Sequence, residues 1–186
     1  MIIAREKKKN NIAEYVLYMW QIEDIIRGYN FDLEKIEEHV IHRFDTSLEI
    51  KAEMKDWYQD LIYQMKSQKI EKSGHLDFLN TYVAELNDLH QMLITAYQDQ
   101  RYQKIYAETK ENMDTLLKKN PGGYKSEVEV CLVGLYGLMT LKLKGAEVSE
   151  ETVKAVQTFG KLIAYLAGKY KEKSQGKLQL PNQMNN

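Results

Sequence analysis

Two titratable side chains interrupt apolar helix faces, and both are therefore candidates for acid–base chemistry. Glu23 stands in the middle of one predicted apolar face, and His90 stands within another, between Leu86 and Leu93. A buried charge is tolerated only when it is paired and hydrogen-bonded, so each side chain requires a partner. One hypothesis pairs Glu23 with His90 as a perturbed acid–base couple. In the alternative, Glu23 meets a tyrosine, lysine or arginine, and His90 is a neutral core histidine with one hydrogen bond.

The pairing hypothesis places a pocket between the first, fourth and sixth predicted helices. Gly134 and Gly137 would leave space for the pocket in the sixth helix. Concave apolar sites with a few convergent polar groups are typical of small-molecule binding. This arrangement predicts a small-molecule binder or an enzyme, with polar contacts from Glu23, His90, Tyr15 and Tyr136.

A pair of histidines has the spacing that suits a metal ion. His39 and His42 are one helical turn apart, and Glu38 is adjacent. A di-iron helical site requires Glu-x-x-His motifs on two helices, whereas no glutamate stands three residues before any histidine here. Both histidines fall on the polar face of their predicted helix, so we expect no metal site. His75 follows a glycine and is interpreted as a solvated residue near a helix start.

Other catalytic patterns are missing from the sequence. No serine stands in a nucleophile-elbow pattern, and no glycine-rich phosphate loop precedes a predicted helix. The single cysteine, Cys131, lies within the most apolar segment, where a thiol is structural rather than nucleophilic. The sequence therefore predicts no catalytic residues and no cofactor, and it favours a protein that is not an enzyme.

Helices are the elements that must position these side chains. The chain has 186 residues and only two prolines, and long stretches lack glycine, so nothing punctuates it at strand intervals. Apolar residues recur at helical spacing instead. We predict an all-α, single-domain bundle of about seven helices, which cover approximately residues 4–28, 32–44, 46–65, 75–97, 99–119, 126–141 and 149–171.

Local signals mark the ends of these helices. A break is predicted near Asp99, where the apolar stripe changes face, and the segment Asn120-Pro121-Gly122-Gly123 is the strongest stop. The helical domain is predicted to span residues 1–172, and a polar tail follows over 173–186, with Leu178 and Leu180 available to dock it. The predicted N-caps are Asp32, Thr46, Ser126 and Ser149.

The predicted helix that contains residues 130–141 has no polar face and should form the centre of the bundle. Gly134 and Gly137 inside it each cost roughly 1 kcal/mol relative to alanine, so close approach by another helix is expected to compensate. Gly160 and Gly168 give the last predicted helix a small-residue groove of its own. We therefore predict that these two helices pack tightly as an antiparallel pair.

Charge and composition indicate which partners the protein can bind and in which cell compartment it is located. The net charge of −1 argues against a dedicated nucleic-acid binder. Both ends are basic, because residues 1–10 carry four positive charges and one negative charge, and residues 161–186 carry five and one. These ends are interpreted as solvated, and the alternative is contact with an acidic partner. One cysteine, no signal-peptide pattern and no apolar run long enough for a membrane span predict a soluble cytoplasmic protein.

Several segments of the chain together form a recognisable pattern. They are Ala4-Arg5-Glu6-Lys7, Asn11-Ile12-Ala13-Glu14-Tyr15, the stretch from Leu17 to Asp24, Gly134-Leu135-Tyr136-Gly137, and the stretch from Lys142 to Glu150. They resemble a family of all-helical proteins from Bacteroidetes that is defined by a domain of unknown function, and the resemblance covers most of the chain. It implies an all-helical fold and a cytoplasmic bacterial setting, and it carries over no activity, cofactor or catalytic residue.

The leading functional hypothesis is a non-enzymatic helical protein that acts through protein–protein interaction, as a homodimer. The abundance of helical apolar surface supports it, as does a heptad-like stripe around Trp57 in the third predicted helix. The pocket with Glu23 and His90 is the alternative. Neither the ligand nor the pathway follows from the sequence.

Overall fold

The computed structural model describes residues 1–119 and 123–178, and the regular structure in these residues is entirely helical. The all-helical prediction is confirmed, with eight α-helices in the described part of the chain rather than about seven. A short 3₁₀ turn, Ile41–Arg43, accompanies them. The helices are α1 (Ile2–Asn10), α2 (Ile12–Gly28), α3 (Leu33–His39), α4 (Leu48–Ser67), α5 (Asp77–Thr95), α6 (Gln100–Lys119), α7 (Glu127–Leu143) and α8 (Glu150–Ser174).

The first predicted helix is divided in two at Asn11, so the prediction of one continuous helix is wrong. α1 ends at Asn10, α2 begins at Ile12, and the side-chain oxygen of Asn11 accepts a hydrogen bond from the backbone N–H of Ala13 at 3.1 Å. Asparagine competes for backbone donors in this way, which favours a helix start over a helix interior. The apolar periodicity continues through this point, and periodicity alone therefore predicts one helix.

The start of α3 is at the predicted residue, but its end is not. The Asp32 carboxylate accepts hydrogen bonds from the backbone N–H groups of Glu34 and Lys35, so the predicted N-cap is confirmed. The predicted C-terminal end is wrong. α3 ends at His39, and the chain continues through the 3₁₀ turn Ile41–Arg43.

A neighbouring residue replaces one predicted cap. Ser47, not Thr46, accepts a hydrogen bond from the backbone N–H of Ile50 and begins α4. Either residue has the hydroxyl group that an N-cap requires, and the sequence alone does not distinguish them. The predicted break near Asp99 is confirmed, because its carboxylate accepts a hydrogen bond from the backbone N–H of Tyr102 in the first turn of α6.

The last two helices begin at the predicted residues. Ser126 accepts a hydrogen bond from the backbone N–H of Glu129, and Ser149 accepts one from that of Thr152. α8 ends at Ser174, three residues beyond the end of about residue 171 that the sequence predicts. Asn120, Pro121 and Gly122 of the predicted stop, and the tail from residue 179 onward, lie outside the described residues.

Backbone contacts divide the chain into two compact units. The N-terminal unit comprises Met1–Asn10 and Glu14–Thr81, and the C-terminal unit comprises Asn11–Ala13 and the chain from Tyr82 onward. The single-domain organisation that the sequence suggests for residues 1–172 stays a prediction.

In the N-terminal unit, α3 packs against α4. The heptad-like stripe of α4 provides much of this core, but Trp57 at its centre is only half-buried. The core residues that α4 contributes are Met54, Tyr58, Leu61, Ile62 and Met65.

In the C-terminal unit, α8 packs against both α6 and α7. A methyl group at Gly134 would lie 2.6 Å from two ring carbons of Phe159, so the ring occupies the space that a side chain would need. A methyl group at Gly160 would make an ordinary contact at 3.6 Å. At Gly137 and Gly168 it would meet nothing within 4 Å in the described part of the chain. Among the described residues, these last two glycines therefore make no close contact that would explain the absence of a side chain.

The stretch of α7 from Val130 to Leu141 carries no charged side chain but is only partly covered. Its residues from Val133 to Thr140 are half-buried, and Leu141 and Leu143 are 43% and 74% exposed. The central position predicted for this helix stays a prediction. Within residues 1–119 and 123–178, no helix is long and apolar enough to cross a membrane. The fully buried residues of α7 are Val128, Val130, Cys131 and Leu132.

Candidate functional site

The N-terminal unit contains a buried carboxylate that is paired with a histidine. Glu23, near the middle of α2, is fully buried. Its Oε2 lies 2.6 Å from Nδ1 of His75, and its Oε1 accepts a hydrogen bond from the backbone N–H of Leu76 at 2.8 Å. The apolar neighbours of Glu23 on α2 explain its burial, and the segment that precedes α5 supplies both of its partners.

The ring of His75 is held in a defined orientation. It stacks on the indole of Trp20, with the ring centroids 4.3 Å apart and the planes inclined by 15°. The backbone around it is fixed as well, since the Asn80 amide donates to the His75 carbonyl and the Arg27 guanidinium donates to the Gly74 carbonyl. The side chain is nevertheless 28% exposed. His75 is therefore a positioned surface histidine and not the freely solvated residue that the sequence suggests.

The C-terminal unit contains a second histidine with a carboxylate partner. His90 on α5 is fully buried, with Nδ1 2.6 Å from the Tyr102 hydroxyl and Nε2 3.0 Å from Oε2 of Glu127. An ionised carboxylate only accepts hydrogen bonds, so Nε2 donates to Glu127 and Nδ1 accepts from Tyr102. One proton on the ring satisfies both nitrogens, which is one hydrogen bond more than the core-histidine alternative predicts.

Glu127 is the most connected residue of this cluster. Besides His90, its carboxylate accepts hydrogen bonds from the Tyr106 hydroxyl at 3.1 Å and the Lys110 ammonium at 2.7 Å. The hydrogen bond with His90 is the largest cause that lowers the pKa of Glu127, from 4.5 to about 2, with Lys110 and Tyr106 contributing further. The same carboxylate raises the pKa of Lys110. The cluster thus joins α5, α6 and α7 through one ionised side chain.

The two histidine clusters differ in what they can do chemically. Every ring nitrogen of His90 is hydrogen-bonded within the fold, and the ring is closed to solvent, so this cluster is arranged to hold helices together. In contrast, Nε2 of His75 has no hydrogen-bond partner among the described residues, and its ring is partly exposed. His75 is therefore the histidine placed to react with a molecule from outside.

Glu23 and His90 each have partners within their own unit. The predicted pairing of these two residues, and the pocket between the first, fourth and sixth predicted helices, stay predictions. Tyr15 is buried, with the Lys8 ammonium 5.8 Å from its ring centroid, and Tyr136 is half-buried on α7.

The His39 and His42 pair does not lie on one continuous helix. His39 is the last residue of α3, and His42 belongs to the following 3₁₀ turn, so the one-turn spacing assumed from the sequence is wrong. Both side chains are exposed, and His39 stacks on Tyr29. Among residues 1–119 and 123–178, no group of three or more histidine, cysteine, aspartate or glutamate side chains could hold a metal ion.

A third candidate is the apolar surface of α7 and α8, which we call the apolar strip. Leu135 and Leu138 of α7 line two shallow depressions in it. One, of about 500 Å³, is shared with α8, and the other, of about 380 Å³, is lined by residues of α7. The strip comprises Leu135, Leu138, Met139 and Leu143 of α7, and Val156, Gly160 and Ala164 of α8.

Two residues that complete the histidine clusters, His75 and Glu127, are not evident as partners from the sequence. His75 is 52 positions from Glu23, and Glu127 is 37 positions from His90, so no local spacing links either pair. For Glu127 a partial signal exists, because an acid in the first turn of an apolar helix is placed to meet a partly buried cation. For His75 the sequence contains no such signal.

Comparison with known proteins confirms the resemblance to a family defined by a domain of unknown function, but not the bacterial group. No curated protein and no solved structure matches the chain. A family model described as a domain of unknown function, DUF4924, matches residues 1–177. Because the match covers nearly the whole chain, the protein belongs to the DUF4924 family.

Proposed function

We propose that this protein is not an enzyme and acts through protein–protein contact in the bacterial cytoplasm, as a homodimer joined by its apolar strip. The observation that carries the proposal is the half-buried apolar surface of α7, which has no charged residue between Val130 and Leu141. Contiguous apolar surface of this kind marks interaction sites on soluble proteins. The single cysteine supports a reducing compartment.

A second copy of the chain is the occupant that suits the shape of the strip. A two-fold interface brings the same patch of both subunits together, so the patch must be complementary to itself. Leu135 and Leu138 line both shallow depressions of the strip, so the same leucines of two copies can pack against each other across a two-fold axis.

The edges of the strip also suit a protein interface. Polar side chains lie at the border of the two depressions, namely Gln157 and Lys161 on α8 and Lys142 on α7. An apolar centre with a polar rim is the usual composition of an interface.

Two matched leucine substitutions test the proposal. Leu143 belongs to the strip and is 74% exposed, whereas Leu48, at the start of α4, lies outside it and is 83% exposed. Because both side chains are exposed, glutamate at either position costs little folding energy within one chain. We expect Leu143→Glu to weaken the dimer by at least about tenfold in Kd, which corresponds to about 1.4 kcal/mol, and Leu48→Glu to leave it unchanged.

Sedimentation equilibrium of the full chain over a range of concentrations measures the two dissociation constants. A monomeric wild-type protein at the highest concentration contradicts self-association. A dimer that both substitutions weaken equally places the contact outside the apolar strip.

A further inference from the structure

We propose that His75 is a phosphoryl-acceptor site, at which Nε2 takes a phosphoryl group and the buried Glu23 carboxylate stabilises the ring that results. The proposal rests on the juxtaposition of a fully buried carboxylate, a ring stacked on Trp20, and a second ring nitrogen without a partner among the described residues. Histidine forms covalent intermediates where a neighbouring group activates it. Self-association through α7 and α8 is neither required for this step nor tested by it.

Glu23 determines which nitrogen of His75 carries the proton. One carboxylate oxygen accepts from the backbone N–H of Leu76, and the other lies 2.6 Å from Nδ1. An ionised carboxylate has no proton to donate, so Nδ1 of His75 must be the donor. When the ring carries one proton, Nε2 keeps its lone pair. A carboxylate fixes the tautomer in the same way in histidine-dependent hydrolases and metal sites.

The transfer step needs no proton movement. The Nε2 lone pair attacks phosphorus in a donor such as phosphoramidate, and a nitrogen–phosphorus bond forms as the bond to the leaving group breaks. Near neutral pH the phosphoramidate nitrogen already carries three hydrogens, so the leaving group is ammonia, which departs with the electron pair of the broken bond. The ring becomes cationic while Nδ1 keeps its proton, and the Glu23 carboxylate at 2.6 Å is its counter-ion. Attraction between opposite charges is strongest where water is excluded, as at the buried Glu23.

The backbone around His75 favours phosphoryl transfer over acyl transfer. Acyl transfer develops an oxyanion that requires N–H donors aimed at it. The next two backbone N–H groups are already occupied, since that of Leu76 donates to Glu23 and that of Asp77 donates to the side chain of Gln68. A transferring phosphoryl group spreads its charge over three oxygens, which water can solvate at a partly exposed ring.

The other histidines of the chain are internal references for this reactivity. His39 and His42 are exposed. The Glu38 carboxylate lies 3.8 Å from Nε2 of His39, not beside Nδ1 as the Glu23 carboxylate does in His75. His90 has both nitrogens hydrogen-bonded in the core. If exposure alone controls the reaction, His39 and His42 react fastest. If the Glu23 carboxylate controls it, His75 reacts fastest and His90 slowest.

Per-histidine phosphorylation rates test the proposal. The full chain is incubated with phosphoramidate near neutral pH, and each histidine peptide is quantified over time by mass spectrometry under conditions that preserve the acid-labile bond. We expect His75 to react at least about tenfold faster than His39. Glu23→Gln is expected to lower the His75 rate by about tenfold and leave the His39 rate unchanged. Glu38→Gln, which removes an exposed carboxylate, is the matched control and leaves the His75 rate unchanged.

Two results overturn the proposal. One is a wild-type protein in which His75 reacts no faster than His39. The other is a Glu23→Gln variant that keeps its helical circular dichroism and the wild-type rate at His75. Where that variant does not fold, the ratio of the His75 rate to the His39 rate in the wild-type protein decides alone.

Discussion

Alanine substitutions at Gly134 and Gly137 form a matched pair on one helix. Both glycines lie within α7, and replacing either one by alanine gains about 1 kcal/mol in helix propensity. At Gly137 the added methyl group meets nothing within 4 Å among the described residues, so little opposes this gain. We expect Gly137→Ala to raise the free energy of unfolding by about 0.5–1 kcal/mol.

The same substitution at Gly134 meets the ring of Phe159. The methyl carbon would lie 2.6 Å from two ring carbons, and an ordinary contact begins at 3.4 Å, so the ring must move by about 0.8 Å. Phe159 is buried, and forcing an extra methyl group into a packed core costs about 1–3 kcal/mol. The propensity gain cancels between the two variants. Gly134→Ala should therefore be less stable than Gly137→Ala by about 1–3 kcal/mol.

Urea denaturation followed by circular dichroism measures this difference. The variants are compared at one low protein concentration, so that self-association contributes equally to both. Phe159→Leu combined with Gly134→Ala is the control, because a smaller side chain relieves the contact and should reduce the cost of the alanine. The reasoning is refuted if Gly134→Ala is as stable as Gly137→Ala, since the close approach of the ring would then carry no energetic cost.

Two further substitutions test a charge and a backbone conformation. The pKa of Glu127 is lowered from 4.5 to about 2 by His90 and its other partners, so its ionised form contributes up to about 3 kcal/mol, present above pH 4.5 and lost as the pH falls toward 2. Glu127→Gln should therefore flatten the acid side of the stability–pH curve, and an unchanged slope contradicts this account. Lys69 follows α4 with a φ of +56°, where glycine is favoured, so Lys69→Gly should stabilise the protein by about 0.5–1 kcal/mol in thermal unfolding. A lower midpoint than that of the wild-type protein contradicts the second expectation.

The helical class and most helix starts follow from the sequence because their causes are local. Asp32, Ser126 and Ser149 accept hydrogen bonds from backbone groups two or three residues away, and the apolar periodicity repeats within each turn. The break at Asn11 is local as well, but the apolar repeat on both sides of it hides the capping side chain.

For the candidate sites, the sequence predicts which side chains are buried but not which residues they pair with. The apolar neighbours of Glu23 and His90 on their helices account for the burial of both side chains. Because both are buried, each side chain requires a hydrogen-bonding partner. The identity of the partner depends on tertiary packing, which brings His75 to Glu23 across 52 positions of sequence. The partial burial of α7 from Val133 to Thr140 cannot be predicted for a similar reason, since an apolar segment has the same pattern whether its own chain or a second chain covers it.

The position of Glu127 affects the order in which the C-terminal unit can fold during synthesis. Ribosomes release the chain from its N-terminus, so His90 and Tyr102 emerge before the carboxylate that completes their cluster. Until α7 begins to emerge, α5 and α6 must either leave the imidazole in water or bury it with only one hydrogen bond. The N-terminal unit has no such delay, because Glu23 and His75 both lie before Thr81. A nascent chain therefore completes its first polar cluster well before its second.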